Sequence, residues 1–210
     1  MLSAVHRGTA FEQRSLQLLQ VHFSMALRRV GGKSDGGIDL VGWWWLPFAT
    51  EPAPGALPDP HGLLRRRLRV LAQCKAEKKK FSPKYVREME GVWHLQSPLA
   101  QPAVYPTVAL LLSESPFSRS TVMHAYRSTV PFLLIHLPSS SSDPTTSASN
   151  LELGTVCPNP TLTHLVKPLA FCWERNPSPT DAAAGGRPGL WWHGRKLSSW
   201  APDLPDLDTT

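Results

Sequence analysis

Asp39, Gln73 and Lys75 are the residues of this chain whose types and spacing could perform chemistry. Hydrolysis of a phosphodiester needs a metal ion that polarises the phosphate and activates water. A magnesium-type ion takes hard oxygen ligands, usually one or two carboxylates with waters completing the octahedron. A lysine beside it can orient the attacking water and offset charge in the transition state. Asp39 follows the glycine-rich run Gly31-Gly32-Lys33-Ser34-Asp35-Gly36-Gly37, at the start of an expected strand. Gln73 and Lys75 stand two apart in the next clear strand, so the period of two places both on one face. Glu12, on the first expected helix, is available as a second carboxylate.

The elements that must position these groups are legible in the pattern. Thr9 and Glu12 are spaced as a capping box, which predicts a helix opening at Thr9 and ending near His22. Phe11, Leu18 and Leu19 share its buried face. Residues 25–30 and 38–43 predict two strands joined as a hairpin through the glycine run. Residues 47–67 read as an inserted loop, rich in proline. Residues 68–75 form the clearest strand: Leu68, Val70, Ala72 and Cys74 face a core, and Gln73 and Lys75 face the other way. Ser82 and Pro83 open a helix that buries Tyr85, Val86, Met89, Val92 and Trp93. Residues 104–112 predict a buried strand. Ser115 and Pro116 open another helix with Val122, Met123 and Tyr126 inward, and residues 132–137 predict a final core strand.

Strand–helix–strand units of this length imply right-handed parallel crossovers. The whole predicts an α/β fold, a sandwich with a mixed central sheet flanked by helices. Residues 8–137 are the expected core, residues 138–150 a Ser/Pro-rich linker, and residues 151–210 a weakly structured C-terminal extension. Within that extension His193 and Gly194 can turn a small hairpin.

Composition sets the partners. A formal net charge of +6 suits a polyanion, because Lys and Arg release counterions from a phosphate backbone. Three cysteines with no Cys-x-x-Cys argue against a disulfide framework and against a structural zinc site. No apolar run is long enough to span a bilayer, so no membrane is expected as a partner. Lys78, Lys79, Lys80, Lys84 and Arg87 follow directly after Lys75 and are expected to contact nucleic-acid phosphates. The triplet Arg65-Arg66-Arg67 falls in the expected loop, where a solvated charge run is the simpler reading. Trp43, Trp44 and Trp45 are expected chiefly to pack the core.

Gly36-Gly37-Ile38-Asp39 followed by Gln73-Cys74-Lys75 resembles the D…(E/Q)xK signature of the PD-(D/E)XK nuclease superfamily. Its glutamine variant is similar to that of the Mrr-type restriction endonucleases. The glycine run with Gln73-Cys74-Lys75-Ala76-Glu77-Lys78-Lys79-Lys80 resembles more closely still a fungal family, the mitochondrial required for respiratory growth protein 7 family. The resemblance covers residues 8–137. It implies a restriction-endonuclease-like three-layer sandwich and a Mg²⁺- or Mn²⁺-dependent nuclease acting on nucleic acid, DNA in the first instance, in mitochondria. It also implies Asp39 as metal carboxylate, Gln73 as an oxygen ligand where glutamate is usual, Lys75 as catalytic lysine and Glu12 as accessory acid. The rival expectation is a catalytically weak or inactive module of the same fold that binds nucleic acid or a protein partner, since a neutral glutamine holds a divalent cation less strongly than a carboxylate. Alone, Asp39 would be an ordinary turn residue and Glu12 an ordinary cap; the three-residue combination is what favours a site.

Overall fold

The computed structural model describes residues 4–30, 37–48, 55–96, 105–139, 154–174 and 187–202. The chain opens with α1 (Ala4–Phe23), β1 (Met25–Arg29), β2 (Leu40–Pro47), the short β3 (Leu57–Pro58) and the long β4 (Leu64–Lys75). It continues through α2 (Pro83–Gln96), β5 (Thr107–Ser113), α3 (Arg119–Arg127) and β6 (Phe132–His136). It then forms β7 (Thr155–Pro158), α4 (Pro160–Leu165), β8 (Leu169–Glu174), β9 (Arg187–Trp192) and β10 (Arg195–Lys196).

A mixed seven-stranded sheet carries the fold, in the order β1-β2-β4-β5-β6-β7, with β3 paired to β4. β1, β2 and β4 pair antiparallel, whereas β4-β5 and β5-β6 are parallel, as crossovers through α2 and α3 require. β5 is buried along its whole length, which is why Thr107–Ser113 reads as a continuous apolar run rather than an alternation. The two faces of the sheet feed two cores. Leu68, Val70 and Ala72 join Phe11, Leu18 and Leu19 of α1 in one. Ala109, Leu111 and Leu134 join Val86 and Met89 of α2 and Ala125 of α3 in the other.

Several expectations need correction. α1 begins at Ala4, so Thr9 lies inside it and caps nothing. The capping box fails because an interior Thr9 has no orphan amide to satisfy, and the Glu12 carboxylate pairs instead with Arg29. β2 runs on through Trp43, Trp44 and Trp45, all buried. β4 begins at Leu64, so the arginine triplet is strand and not loop. Arg65 is buried in an ion pair with Asp59 at 2.8 Å, Arg66 donates to Leu165 O at 3.0 Å, and the Arg67 guanidinium lies against Trp43 and Tyr105.

α3 starts at Arg119 with Ser118 as its cap, later than the Ser115-Pro116 pair suggested. The backbone around Pro116 is already used: Phe81 N–H donates to Pro116 O and Ser118 N–H to Phe81 O, a strand-like bridge that delays the helix. The helix then turns Thr121 and Ala125 inward and leaves Met123 and Tyr126 exposed. Small inward residues let α3 approach closely, and Thr121 Oγ1 bonds Phe81 O at 2.6 Å.

Beyond the Ser/Pro-rich stretch, where weak structure was expected, β7 adds an antiparallel edge strand beside β6. Leu162, Val166, Leu169, Leu190, Trp192 and Leu197 enter the α1-side core. β8, β9 and β10 form a separate three-stranded sheet. Its β9-β10 turn is the expected His193-Gly194 pair, with φ of 49° and 73°. No helix among the described residues is long and apolar enough to cross a membrane. The expected glycine turn falls mostly on residues 31–36, and most of the linker on residues 140–150, outside the described residues.

Candidate functional site

The antiparallel register of β2 against β4 ends at Leu40 opposite Ala72. Asp39 sits one residue beyond it, fixed on both sides: its N–H donates to Ala72 O and its carbonyl accepts from Val30 N–H, each at 2.9 Å. Its carboxylate reaches the end of β4, where Oδ2 accepts the Cys74 amide at 2.6 Å. Asp39 is thereby tied to β4 at the peptide between Gln73 and Cys74.

Gln73 is buried, 4% exposed, although it lies two residues from the end of the sheet's longest strand. Its Oε1 is fully buried and makes no hydrogen bond. An unmet buried acceptor costs about 1–3 kcal/mol, so this oxygen is poised for a partner. Its Nε2 lies where a β-carbon on Gly37 would be, only 2.8 Å from that position. Gly37 also has φ +85°, the left-handed region, so glycine serves there both the turn and the close approach.

Lys75 places its Nζ 4.9 Å from the ring centre of Tyr85, the first inward aromatic of α2. The Tyr85 hydroxyl donates to Glu77 Oε1 at 2.8 Å. That bond, with burial and the Glu77 charge, pushes the phenol up to about 12. The lysine is therefore braced by a neutral ring that is itself anchored.

Glu12 accepts two bonds on one oxygen, Oε2, from Arg29 Nε and Nη2, both at 2.6 Å. The Cys74 thiol reports how these charges converge. Burial pushes it well up, the Asp39 charge pushes the same way, Ser15 and Lys75 oppose, and Glu12 adds to the rise. Asp39 and Glu12 thus raise, and Lys75 lowers, the titration of one half-buried thiol, which when protonated is no nucleophile.

The lysines beyond are different. Lys78, Lys79 and Lys80 are exposed between β4 and α2, as are Lys84 and Arg87 on α2. Lys84 pairs with Glu88 at 3.4 Å, a solvated contact. An open cleft of about 410 Å³ beside Glu90, His124, Arg127 and Ser128 includes none of the expected site residues.

The divalent cation that the resemblance implies would need hard oxygen donors. Among the described residues no group of three or more His, Cys, Asp or Glu could hold a metal ion. A magnesium-type ion does not need one, since one or two carboxylates and waters suffice. The Asp39 carboxylate and the unmet Gln73 Oε1 are hard oxygens on adjacent backbone segments, and their chemistry suits such an ion. Sequence reasoning missed the Arg29–Glu12 pair, which has no spacing signal, and the Tyr85–Glu77 bond, since Tyr85 was read only as core.

The model of a family described as Required for respiratory growth protein 7 matches residues 3–158. A mitochondrial protein of Schizosaccharomyces pombe, described as uncharacterized, is 36% identical over 90 residues, 42% of this chain and 30% of that protein. The Required for respiratory growth protein 7, mitochondrial, of Eremothecium gossypii is 29% identical over 168 residues, 67% of this chain and 68% of its own. Its namesake in Zygosaccharomyces rouxii is 32% identical over 115 residues, 43% of this chain and 48% of its own. The matches thus span less than two thirds of two of these relatives. All three are named as mitochondrial, the localisation that the sequence resemblance implied. No solved structure matches the chain.

Proposed function

We propose that this chain, which belongs to the Required for respiratory growth protein 7 family, is a mitochondrial metal-dependent phosphodiesterase that cleaves nucleic acid, DNA in the first instance, on a restriction-endonuclease-like sheet. The observation that carries this reading is the unmet Gln73 Oε1 on the strand end to which the Asp39 carboxylate is bonded through the Cys74 amide. Asp39 and Gln73 would hold Mg²⁺ or Mn²⁺, with Glu12 as the accessory acid. The ion, when bound, polarises the phosphate and lowers the pKa of water. Lys75, steadied over Tyr85, donates a hydrogen bond to the attacking water and meets the charge that builds on the phosphate. The Asp39–Cys74 bond keeps the carboxylate and the β4 end in register, so the ligand spacing is set before substrate arrives. Lys78, Lys79, Lys80, Lys84 and Arg87 would grip the phosphate backbone by sequence-independent contacts.

The test is cleavage of supercoiled DNA by the full chain with Mg²⁺ or Mn²⁺. Cutting that disappears in Asp39→Asn and in Lys75→Ala supports a nuclease. A second reading is favoured by the neutral Gln73 and the absence of a three-residue His, Cys, Asp or Glu cluster among the described residues: a nuclease-fold module that binds nucleic acid or a protein partner and does not cut. DNA bound equally with and without metal and never cleaved would establish that reading instead.

A further inference from the structure

We propose that the outer face of α3 is a docking site for a partner protein that presents an acidic amphipathic helix. The proposal stands apart from the metal site and holds whether or not the chain cuts nucleic acid.

α3 packs inward through Thr121 and Ala125. The helical period then sets Arg119, Met123, Tyr126 and Arg127, at i, i+4, i+7 and i+8, along the opposite side, where all four are exposed. Met123 is 41% exposed and Tyr126 57%, although both are large hydrophobic side chains. The open cleft between α3 and Glu90 of α2 runs beside them, with Met123 and Arg127 in its wall. The acid in that cleft is already occupied: Ser128 Oγ donates to Glu90 Oε1 at 2.5 Å, and His124 Nε2 meets Oε2 at 3.2 Å. Among the described residues no ion pair reaches Arg119 or Arg127. Two unmet guanidiniums therefore flank two exposed hydrophobic side chains.

Composition and charge together select the occupant. Aromatic residues, Met and Arg are enriched where proteins meet, and Lys, Glu and Asp are depleted. α3 carries the first three kinds and none of the others. A second copy docked face to face would set arginine against arginine, which like charges oppose. A phosphate backbone would meet Met123 and the Glu90 carboxylate, whereas the lysine run that suits phosphate lies before α2, at Lys78, Lys79 and Lys80. An acidic partner answers both features. Arg119 and Arg127 stand about 12 Å apart along the axis. A helix with two carboxylates about two turns apart matches them, each acid forking onto a guanidinium, and an apolar side chain between the acids seats against Met123 and Tyr126.

The experiment uses the full chain, with carbon-13 in its methionine methyls, and a synthetic helical peptide that carries glutamates two turns apart with leucines between them. On titration the Met123 methyl resonance is expected to shift while those of the buried Met25 and Met89 stay in place. Arg127→Glu should weaken peptide binding about 10-fold, as loss of an anchoring interface arginine does. Arg119→Glu/Arg127→Glu should lose that peptide and gain one with lysines in place of the glutamates. Thermal melts of each variant, expected close to wild type for exposed positions, verify folding. Absence of binding, a Met123 methyl unmoved at saturation, or equal binding of a peptide of the same composition with its glutamates clustered overturns the proposal. So does a Met123 shift produced by a DNA duplex or by self-association in place of the peptide.

Discussion

Replacing Gly37 by alanine should strain the site in two separable ways. The backbone there has φ +85°, and an L-residue in the left-handed region costs about 1–2 kcal/mol. The added β-carbon would also stand 2.8 Å from Gln73 Nε2, closer than real side chains come. To regain ordinary contact the amide must move by roughly half an ångström. Nε2 is the far end of a flexible side chain, but that chain is 4% exposed and packed, so it cannot simply swing into solvent. Because the amide is rigid, Oε1 moves with Nε2, and ligand geometry tolerates only about 0.5 Å of error. The expected result is a loss of about 1–3 kcal/mol, a fall in Tm of roughly 2–12 °C. Mn²⁺ binding should weaken more than that modest destabilisation suggests. Thermal denaturation with and without Mn²⁺ reads both effects. The same substitution in a Gln73→Ala background should retain only the backbone part. Identical melting of Gly37→Ala and wild type, or an equal metal-dependent loss in both backgrounds, would refute the reasoning.

Asp59 accepts bonds from His61 N, Leu63 N and the fork of Arg65, at 2.8–3.1 Å, with both charged side chains almost fully buried. Asp59→Ala strands the Arg65 charge and should cost about 3–5 kcal/mol, whereas Asp59→Leu/Arg65→Met should recover most of the lost Tm. Burial raises the Asp59 pKa, but the Arg65 bond and the two amide bonds outweigh it and hold the carboxyl low. Its stabilisation is therefore present above about pH 4 and is lost as acid titrates the folded state, which urea denaturation at stepped pH will show as a falling midpoint absent from the Leu/Met double variant. Tyr85, raised to about 12, should ionise after a free tyrosine in a spectrophotometric titration. Its contribution to stability is present below about pH 10 and fades as pH rises toward 12, the sign expected when the folded state binds the extra proton. Glu77→Gln, which removes the acceptor charge, should bring that titration back toward 10, and an unchanged midpoint would contradict the bond.

The main sheet was legible because its strands announce themselves. Leu68, Val70 and Ala72 share one core with Gln73 on the opposite face, and Phe132–Ile135 is uniformly apolar. Ser82-Pro83 marked the start of α2 because nothing else claims that backbone. The failures have a common cause, which is tertiary partners that outbid local signals. α1 began ahead of Thr9, and Glu12 paired with Arg29 instead of closing a capping box. Phe81 took the backbone of Pro116 and Ser118, so α3 starts late and on another face. Asp59 made a buried strand residue of Arg65, which reads as surface charge by composition. At the site, the period of two gave Gln73 and Lys75 their shared face, but not the Asp39–Cys74 bond that joins the two strand ends. That bond depends on the register of β2 against β4, and no local pattern encodes it. Beyond residue 154, Asn159 shows why sparse strands can still order: it caps α4 through Leu162 N–H and accepts from Phe132 N–H, tying that segment to β6.

The most direct measurement is anomalous diffraction from a crystal of the full chain grown with Mn²⁺. The account predicts one strong manganese peak between Asp39 and Gln73, about 2.0–2.3 Å from an oxygen of each. A structure in which Gln73 Oε1 stays unligated while manganese binds elsewhere, or nowhere, would contradict it.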